Sequence, residues 1–432
     1  MELKMGFLFS SSPPALLLLL LLSLSSQLFL NGLPLAGAAD IPLGATLTPS
    51  NSSSWTSDNR TFSLRFVPDP DNPSLFLAAV TYSGAIRVWT AVGADNTPAA
   101  VDSAASLQLR SDGDLRLTNG SGAVVWQSNT SGKGVTAAFL SETGKLILKN
   151  RRRSVWQSFD NSTDTILQTQ NFTIGQTLKS GLYSFSLNNT GNLTLTWNDS
   201  VSYFNKGFTS SYTANKTLIS PVLTLHTNGI VSLSDESLPG SVVIAYSSDY
   251  AESAVAMRFV RLDSDGNLRA YSVASGSITA TSRWSAVADQ CTDFGWCGNM
   301  GICSYNDTSP VCGCPSKNFE FVDPSDRRKG CKRRTEIEDC PGNSTMLQMD
   351  NTLFLTYPPE ISTEQLFVGI TACRLNCLLA ASCAASTSVD DGSGYCYLKA
   401  SNFVSGYQSP ALPSTSFAKV CAPALPNQPQ SG

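Results

Sequence analysis

Cysteine is absent from the first 290 residues of this 432-residue chain, and His226 is its only histidine. Charged residues make up only 14% of the chain, with 29 basic side chains against 33 acidic ones. A small and balanced charge gives no reason to expect a nucleic-acid partner. The scarcity of histidine disfavours a zinc site, and we expect neither a metal ion nor a cofactor.

The chain also lacks the sequence motifs of a kinase. It has no glycine-rich loop followed by Val-Ala-x-Lys and no His-Arg-Asp, so the single Asp-Phe-Gly at residues 293–295 is interpreted as a chance match. His226 falls in a predicted hairpin turn, with no sign of the partners that a Ser-His-Asp triad needs. After the amino-terminal apolar segment there is no second apolar span. The sequence therefore predicts no enzymatic activity in this chain.

All the cysteines lie between Cys291 and Cys421, in two consecutive sets of six. Even sets of this kind are typical of disulfide-stapled modules in an oxidising compartment. The amino terminus agrees, because Lys4 precedes an apolar run at 15–22 and small residues at 36–39. Residues 1–39 are predicted to be a secretory signal peptide. The alternative, a membrane anchor, is disfavoured because the run is much shorter than the ~20 residues that span a bilayer. We expect a secreted or cell-surface protein.

In a secreted protein, Asn-x-Ser/Thr sequons predict N-glycosylation and hence a glycan-covered surface. They occur at Asn51, Asn59, Asn119, Asn129, Asn161, Asn171, Asn188, Asn192, Asn198, Asn215, Asn306 and Asn343. All but the last two precede the first cysteine. The cysteine-free half is therefore expected to be the more heavily shielded one.

The cysteine-free half contains a repeat. A leucine, three polar residues, a glycine and then alternating apolar residues recur around Gly113, Gly144, Gly191, Gly229 and Gly266. This pattern predicts β-hairpins that each bury one face and must share a core. A second repeat, Val-Trp, ends at Trp89, Trp126 and Trp156 and predicts a pseudo-threefold packing of indole rings. We expect this half to be all-β.

These residues carry a resemblance. The run from Trp156 to Asp160, followed by Thr163-Asp164-Thr165 and Gly175-Gln176, resembles the S-domain ectodomains of plant G-type lectin (S-locus-like) receptor kinases. The resemblance implies a mainly β fold with two bulb-type lectin β-prism domains, at residues 40–159 and 161–288. It also implies an EGF-like module at 289–332, a small α+β PAN/apple module at 340–421 and a flexible tail at 422–432.

The resemblance also implies a disulfide pairing, which the spacing alone leaves open among 15 arrangements for each set of six. In the EGF-like module the implied pairs are Cys291–Cys303, Cys297–Cys312 and Cys314–Cys331. In the PAN/apple module, where Cys373 and Cys377 fall on one face of a predicted helix, they are Cys340–Cys421, Cys373–Cys396 and Cys377–Cys383. Calcium binding by the EGF-like module is doubtful, because the usual acidic position before the first cysteine holds Val287.

The family's mannose site is a strand motif, Gln-x-Asp-x-Asn-x-Val-x-Tyr. Around Gly266 the matching positions hold Asp265, Asn267 and Tyr271, and around Gly113 only Asp112 matches. These four residues are the carbohydrate-binding candidates. Asp265 and Asn267 are expected to be exposed beside their turn. A hydroxyl-binding site loses most of its affinity when partners are missing, which favours the reading that these are turn residues kept for hairpin geometry.

The predicted function is therefore an extracellular recognition ectodomain that binds a protein or glycan ligand and dimerises with a similar ectodomain. The alternative is a secreted mannose-type lectin. The contact surface is expected in the last module, which has no sequon after Asn343 and is rich in aromatic residues: Phe354, Tyr357, Phe367, Tyr395, Tyr397, Phe403 and Tyr407. Some of these aromatic residues are expected to form the core of that module instead.

Overall fold

The computed structural model of the chain describes residues 40–95, 97–207, 218–358, 365–400 and 402–427. The predicted signal peptide at 1–39, the sequon at Asn215 and residues 428–432 of the predicted tail lie outside the described residues. The described chain is built mainly of β-strands, as the sequence predicts.

The first prism occupies residues 40–159. Its strands β1 to β13 are, in order, Ile41–Pro42, Thr46–Leu47, Trp55–Thr56, Phe62–Pro68, Phe76–Tyr82, Ile86–Thr90, Ala100–Val101, Ser106–Leu109, Leu115–Thr118, Val124–Gln127, Ala137–Leu140, Leu146–Lys149 and Ser154–Gln157. They form three sheets, β3-β4-β5-β6 with β7 paired to β5, β10-β9-β8-β2 and β1-β11-β12-β13. The inward faces of the three sheets share one apolar core.

The Val-Trp repeat places one indole on the last strand of each sheet. The ring centroids of Trp89 and Trp126 are 5.5 Å apart, those of Trp126 and Trp156 5.9 Å, and those of Trp89 and Trp156 6.0 Å, all edge to face. The predicted threefold packing of these rings is confirmed. The Trp89 indole N–H also donates to the carbonyl of Asn161 (2.9 Å), which ties the first prism to the chain that follows it.

The second prism occupies residues 161–288. Its strands β14 to β25 are Thr165–Leu167, Asn171–Thr173, Thr177–Ser180, Tyr183–Leu187, Leu193–Trp197, Val201–Lys206, Val222–Leu225, Ile230–Ser234, Val242–Tyr246, Val255–Leu262, Leu268–Ala274 and Ala280–Ser285. Its sheets are β14-β23-β24-β25, β15-β20-β21-β22 and β16-β17-β18-β19. Met257 and Phe259 of β23 pack into the core of the first prism, so the two prisms are joined by buried apolar contacts.

The five predicted hairpins are all present. They are β8–β9, β11–β12, β17–β18, β20–β21 and β23–β24, each antiparallel and in the expected register. The turn glycine of each has a positive φ, between 79° and 91°. That region of backbone space is open to glycine at little cost, which is why the repeat keeps a glycine at the turn.

The cysteine-rich region contains helix α1 (Ile370–Leu379) and strands β26 to β36. The strands are Ile302–Asn306, Ser309–Gly313, Phe319–Phe321, Cys331–Arg333, Ser344–Asp350, Thr352–Phe354, Gln365–Phe367, Ala385–Val389, Tyr395–Lys399, Gly406–Gln408 and Ser414–Cys421. Short 3-10 helices lie at Ser158–Asp160, Gln290–Thr292, Arg327–Lys329 and Ile337–Asp339. Helix α1 packs on the five-stranded sheet β30-β36-β33-β34-β32.

We call residues 289–332 the first cysteine module and residues 340–421 the second. In the described residues the six disulfides are Cys291–Cys303, Cys297–Cys312, Cys314–Cys331, Cys340–Cys421, Cys373–Cys396 and Cys377–Cys383. These are the pairs that the family resemblance implies. The assignment of the two modules as EGF-like and PAN/apple stays a prediction.

The two cysteine modules are not separate bodies. Strands β27-β26-β35-β31 form one sheet, in which β26 of the first module runs parallel to β35 of the second, with Ile302 opposite Gly406. The rings of Phe354 and Phe403 stack 3.8 Å apart in a core that Met300 of the first module shares. The first cysteine module therefore shares a sheet and a core with the second and does not stand apart from it.

The expectation of a flexible tail at 422–432 is wrong for its first part. Residues 422–427 return to the first cysteine module, where the Lys317 N–H donates to the carbonyl of Leu425 (3.0 Å) and Asn427 Nδ2 donates to the carbonyl of Cys314 (3.0 Å). Within the described ranges, no helix is long and apolar enough to cross a membrane.

Candidate carbohydrate-binding strands

The Gly266 hairpin, β23–β24, carries the best match to the mannose motif, and its polar side chains bond to one another. Arg269 Nη1 lies 2.7 Å from Asp263 Oδ2 and 2.8 Å from Asp265 Oδ1. The Tyr271 hydroxyl donates to Asp263 Oδ2 at 2.6 Å. The carboxylate oxygens that a sugar hydroxyl needs are thus occupied by donors from the same strand.

Asp265 and Asn267 are not exposed, and that expectation is wrong. Their exposed fractions are 8% and 1%. Asn267 donates to the carbonyl of Val287 (2.7 Å) and accepts from its N–H (3.1 Å). Asp265 accepts from Gln290 Nε2 (2.9 Å). The reason is that the chain leading into the first cysteine module packs directly on this hairpin.

The electrostatics of the hairpin follow from this partial burial. Burial raises the pKa of the Asp263 carboxyl, although the Tyr271 hydroxyl and Arg269 act against it. Burial acts to lower the pKa of Arg269, but the hydrogen bonds to Asp265 and Asp263 outweigh burial, so the pKa of Arg269 is raised. Burial and then the hydrogen bond to Asp263 raise the pKa of Tyr271. Arg269 stays charged between two carboxylates, at the position where the family motif has an apolar residue.

The Gly113 hairpin repeats this arrangement. Arg116 stands at the same apolar position of the motif, and its Nε donates to Asp114 Oδ2 at 2.7 Å. Asp114 is 1% exposed and also accepts from the Thr130 N–H (2.9 Å). Asp112, the candidate residue, is more open, with 36% of its side chain exposed, and it lies 3.6 Å from Arg116 Nη2. It also accepts from the Ser131 hydroxyl at 3.1 Å.

The other hairpins keep at most one ligand of the motif, Asn192 beside the Gly191 turn. At the Gly144 turn the hydroxyls of Ser141 and Thr143 bond to each other at 2.8 Å. At the Gly229 turn, His226 Nε2 and the Ser232 hydroxyl share a hydrogen bond of 2.7 Å. No cluster of three or more His, Cys, Asp or Glu suited to a metal ion occurs among the described residues.

Two clefts in the described part of the chain lie away from the side chains of the four carbohydrate-binding candidates. A cleft of about 740 Å³ separates β26 from β30 and is lined by residues such as Tyr305, Leu347 and Asn427. A smaller one of about 180 Å³ lies in the seam between the prisms, beside Phe62, Tyr82 and Met257. Neither contains a residue of the mannose motif.

Several residues that shape the site were missed from the sequence. Arg116 and Arg269 stand where the motif has an apolar residue, and in the structure each of them pairs with acidic side chains of its own hairpin. Gln290 and Arg328 belong to the first cysteine module and reach back to the Gly266 hairpin, where Arg328 Nη2 donates to the carbonyl of Ser264 at 2.9 Å. Only the arginine substitutions leave a signal in the sequence, as a cation four residues after the retained Asp112 or Asp265.

Two family models match parts of the chain. The D-mannose binding lectin model covers residues 87–186, and the S-locus glycoprotein domain model covers residues 218–321. A G-type lectin S-receptor-like serine/threonine-protein kinase of Arabidopsis thaliana is 52% identical over 391 residues, which are 90% of this chain and 46% of that protein. A second Arabidopsis kinase of the same description is 32% identical over 89% of this chain and 51% of its own length. The chain thus spans about half the length of these relatives.

Two solved structures are similar to parts of the chain. A monomeric monocot mannose-binding lectin from Gastrodia elata is 17% identical and covers 29% of this chain and 98% of its own, with a TM-score of 0.22. A two-domain fetuin-binding lectin of Scilla campanulata is 18% identical and covers 57% of this chain and 96% of its own, with the same TM-score of 0.22.

Proposed function

The chain belongs to the family of S-domain ectodomains, those of the G-type lectin S-receptor-like kinases, and we propose that it is an extracellular recognition unit of that type. In this proposal it binds a protein or glycan ligand and dimerises with a similar ectodomain, without catalysing a reaction. The disulfides of the two cysteine modules suit an oxidising, extracellular setting. Neither family model that matches the chain is a kinase domain.

The observation that carries the proposal is the ion pairing of Arg269 with Asp263 and Asp265, at 2.7 Å each. A mannose hydroxyl would have to displace a guanidinium from two carboxylates, and charge-assisted hydrogen bonds are about twice as strong as neutral ones. The lectin fold then supplies a rigid scaffold for recognition elsewhere on the surface, and not a family-type sugar site.

The surface we propose for dimerisation is the aromatic edge of the second cysteine module, formed by Phe367, Tyr395 and Tyr397. Phe367 is 70% exposed on β32, the edge strand of its sheet, and its ring lies 5.1 Å from that of Tyr395. The Tyr395 and Tyr397 rings stack 6.1 Å apart. Phe367 is exposed, the two tyrosines are half-buried, and among the described residues β32 pairs with β34 alone. Such an aromatic strand edge is suited to a protein partner.

Other aromatic residues of that module have structural roles. Phe354 and Phe403 are buried, with 0% and 1% exposed. Tyr357 is part-buried and its hydroxyl donates to the carbonyl of Thr292 (3.3 Å). The proposed contact is therefore narrower than the set named from the sequence.

The alternative is a mannose-type lectin. Two observations favour it: the match of residues 87–186 to the D-mannose binding lectin model and the partial exposure of Asp112. In this reading Asp112 in the first prism is a better ligand than Asp265, which is occupied by Arg269 and Gln290.

Two measurements separate the functions. The enzymatically deglycosylated protein and its Asp112→Ala variant are compared on an array of mannose-terminated glycans. The proposal predicts no mannose binding that depends on Asp112. Binding by the natural protein that is lost in Asp112→Ala would establish the lectin alternative. In sedimentation velocity, Phe367→Ser should weaken self-association at least tenfold. The matched control is Leu182→Ser, which changes a residue 57% exposed on the second prism. Equal self-association in all three proteins would refute the proposed surface.

Point substitutions are preferable to deleting residues 340–432. That deletion would remove β35, the strand that pairs with β26, together with β31 on the far side of β35. It would also remove Phe354 and its neighbours from the core that Met300 shares. Loss of association in such a truncated chain would not distinguish a lost contact from a damaged first cysteine module.

A further inference from the structure

Asp293 lies at the junction between the Gly266 hairpin and the first cysteine module. It follows the 3-10 helix Gln290–Thr292 and is fully buried, with 0% exposed. Among the described residues, no hydrogen bond ends on either of its carboxylate oxygens. A buried ionised carboxylate without donors is costly, so such a group remains neutral or is paired. Asp293 has no pairing of this kind.

The nearby donors are shared with other groups. The Asn267 amide has two N–H groups. It donates to the carbonyl of Val287 at 2.7 Å, and it also lies close enough to Asp293 to favour the ionised form, although burial has the larger effect. Arg269 attracts a negative charge at Asp293, but its guanidinium is bound by Asp263 and Asp265, at 2.7 Å each. Within the described part of the chain, no ion pair joins a cation directly to Asp293.

The other charged and titratable groups around Asp293 come from every element that packs on the junction. Asp265 of the hairpin and Asp289 of its own segment oppose a negative charge there. A negative charge on Asp293 contributes to raising the pKa of three tyrosine hydroxyls. They belong to Tyr183 on β17, Tyr203 on β19 and Tyr357 in the second cysteine module. Arg328 of the first cysteine module stacks its guanidinium 3.9 Å above the Trp296 ring and donates to Ser264.

Burial, and after it the charge of Asp265, raises the pKa of Asp293 to about 8. The carboxyl thus keeps its proton at neutral pH in the folded protein, whereas it is ionised in the unfolded chain above about pH 4.

We propose that Asp293 makes the junction a pH-sensitive latch, which is tight while the carboxyl is protonated and loosens as the carboxyl ionises. The contacts that loosen are those of Asn267 with Val287 and of Gln290 with Asp265. The sign follows from proton linkage. The folded state holds a proton that the unfolded or opened state releases. The stability is therefore complete below about pH 4, falls as the pH rises above that value and levels off above about pH 8. One such group changes the closed-to-open ratio by at most about tenfold per pH unit.

The test compares the full chain with Asp293→Asn, which removes the proton equilibrium and keeps the side-chain shape. Hydrogen exchange, corrected for the intrinsic pH dependence, is followed in peptides that cover residues 263–271 and 286–297 from pH 5.5 to 9. In the natural protein the protection of both peptides should fall severalfold or more between pH 6.5 and 8.5. In Asp293→Asn it should not change with pH. Asp112→Asn, an exposed carboxylate in the first prism, should retain the pH dependence of the natural protein.

Constant protection of the junction peptides in the natural protein across this range would overturn the proposal. A fall of the same size in Asp293→Asn would also overturn it. If Asp293→Asn is not secreted, the natural protein alone still tests the proposal. The latch requires the junction peptides to lose protection as the pH rises, while peptides from the first prism, around Leu107 and Leu148, keep theirs.

Discussion

Asn267→Ala is expected to damage the fold, although it changes a residue beside a hairpin turn. The Asn267 side chain is 1% exposed and makes two hydrogen bonds to the backbone of Val287, at 2.7 and 3.1 Å. Alanine would leave the N–H and the carbonyl of Val287 without these partners in a part-buried junction. Each unsatisfied group costs about 1–3 kcal/mol, so we expect a loss of about 2–4 kcal/mol if one of them is partly rehydrated.

A loss of this size should lower the melting temperature of the second prism by roughly 6–12 °C. Differential scanning calorimetry of the secreted protein measures it, and Asp112→Ala is the matched control. Asp112 has 36% of its side chain exposed and its ion pairs are long, at 3.6 and 3.9 Å, so its removal should cost under about 1 kcal/mol. If Asn267→Ala melts within about 1 °C of the natural protein, the contact with Val287 is not a structural tie.

Two further outcomes follow from packed side chains in the prisms, a partly buried indole in the first and a buried ion pair in the second. Trp126→Ala should destabilise the first prism by about 3 kcal/mol, because it removes one ring of the packed indole triad; a denaturant midpoint equal to that of the natural protein would contradict the packing. Asp249→Ala should cost about 3–5 kcal/mol, because Arg258, which is 1% exposed, would lose its carboxylate partner. Burial opposes the charge of Asp249, but hydrogen bonds from Ser272 and Arg258 lower its pKa to about 2. The free energy of unfolding that the ion pair contributes is therefore complete above about pH 4 and lost as the pH falls through 2. In an acid titration, the difference in stability between the natural protein and Asp249→Ala should shrink. A difference that stays constant with pH would refute the pairing.

Local patterns were sufficient for the hairpins and the indole triad. A glycine at the turn and apolar residues on alternate positions fix both the positive φ and the buried face, whatever else the chain does. The same reasoning placed Asn267 on the surface, because polar residues beside a turn are exposed in an isolated hairpin. It failed because the burial of Asn267 comes from Val287, twenty residues away, when the following module packs on the turn.

The burial of Asp293 at the junction is a second feature that local sequence patterns could not predict. In sequence, Asp293 belongs to a chance tripeptide between two half-cystines. Its burial requires the disulfide Cys291–Cys303, the ring contact between Phe294 and Trp197 at 5.4 Å and the hairpin that carries Asp265. None of these contacts is local, so no pattern in the chain distinguishes this aspartate from an exposed turn residue.

The two arginine-bearing hairpins also indicate what separates the lectin scaffold from lectin activity. Arg116 and Arg269 occupy the same position of the repeat, and each bonds to the polar side chain of the same hairpin, Asp114 or Asp265, at 2.7–2.8 Å. Returning either arginine to valine would not restore a mannose site. The residue after the turn glycine, Asp114 or Asn267, is 1% exposed in both hairpins and bonds to the protein itself. Sugar binding there would need these side chains turned outward, which would break the contacts that hold each hairpin to its neighbouring strand.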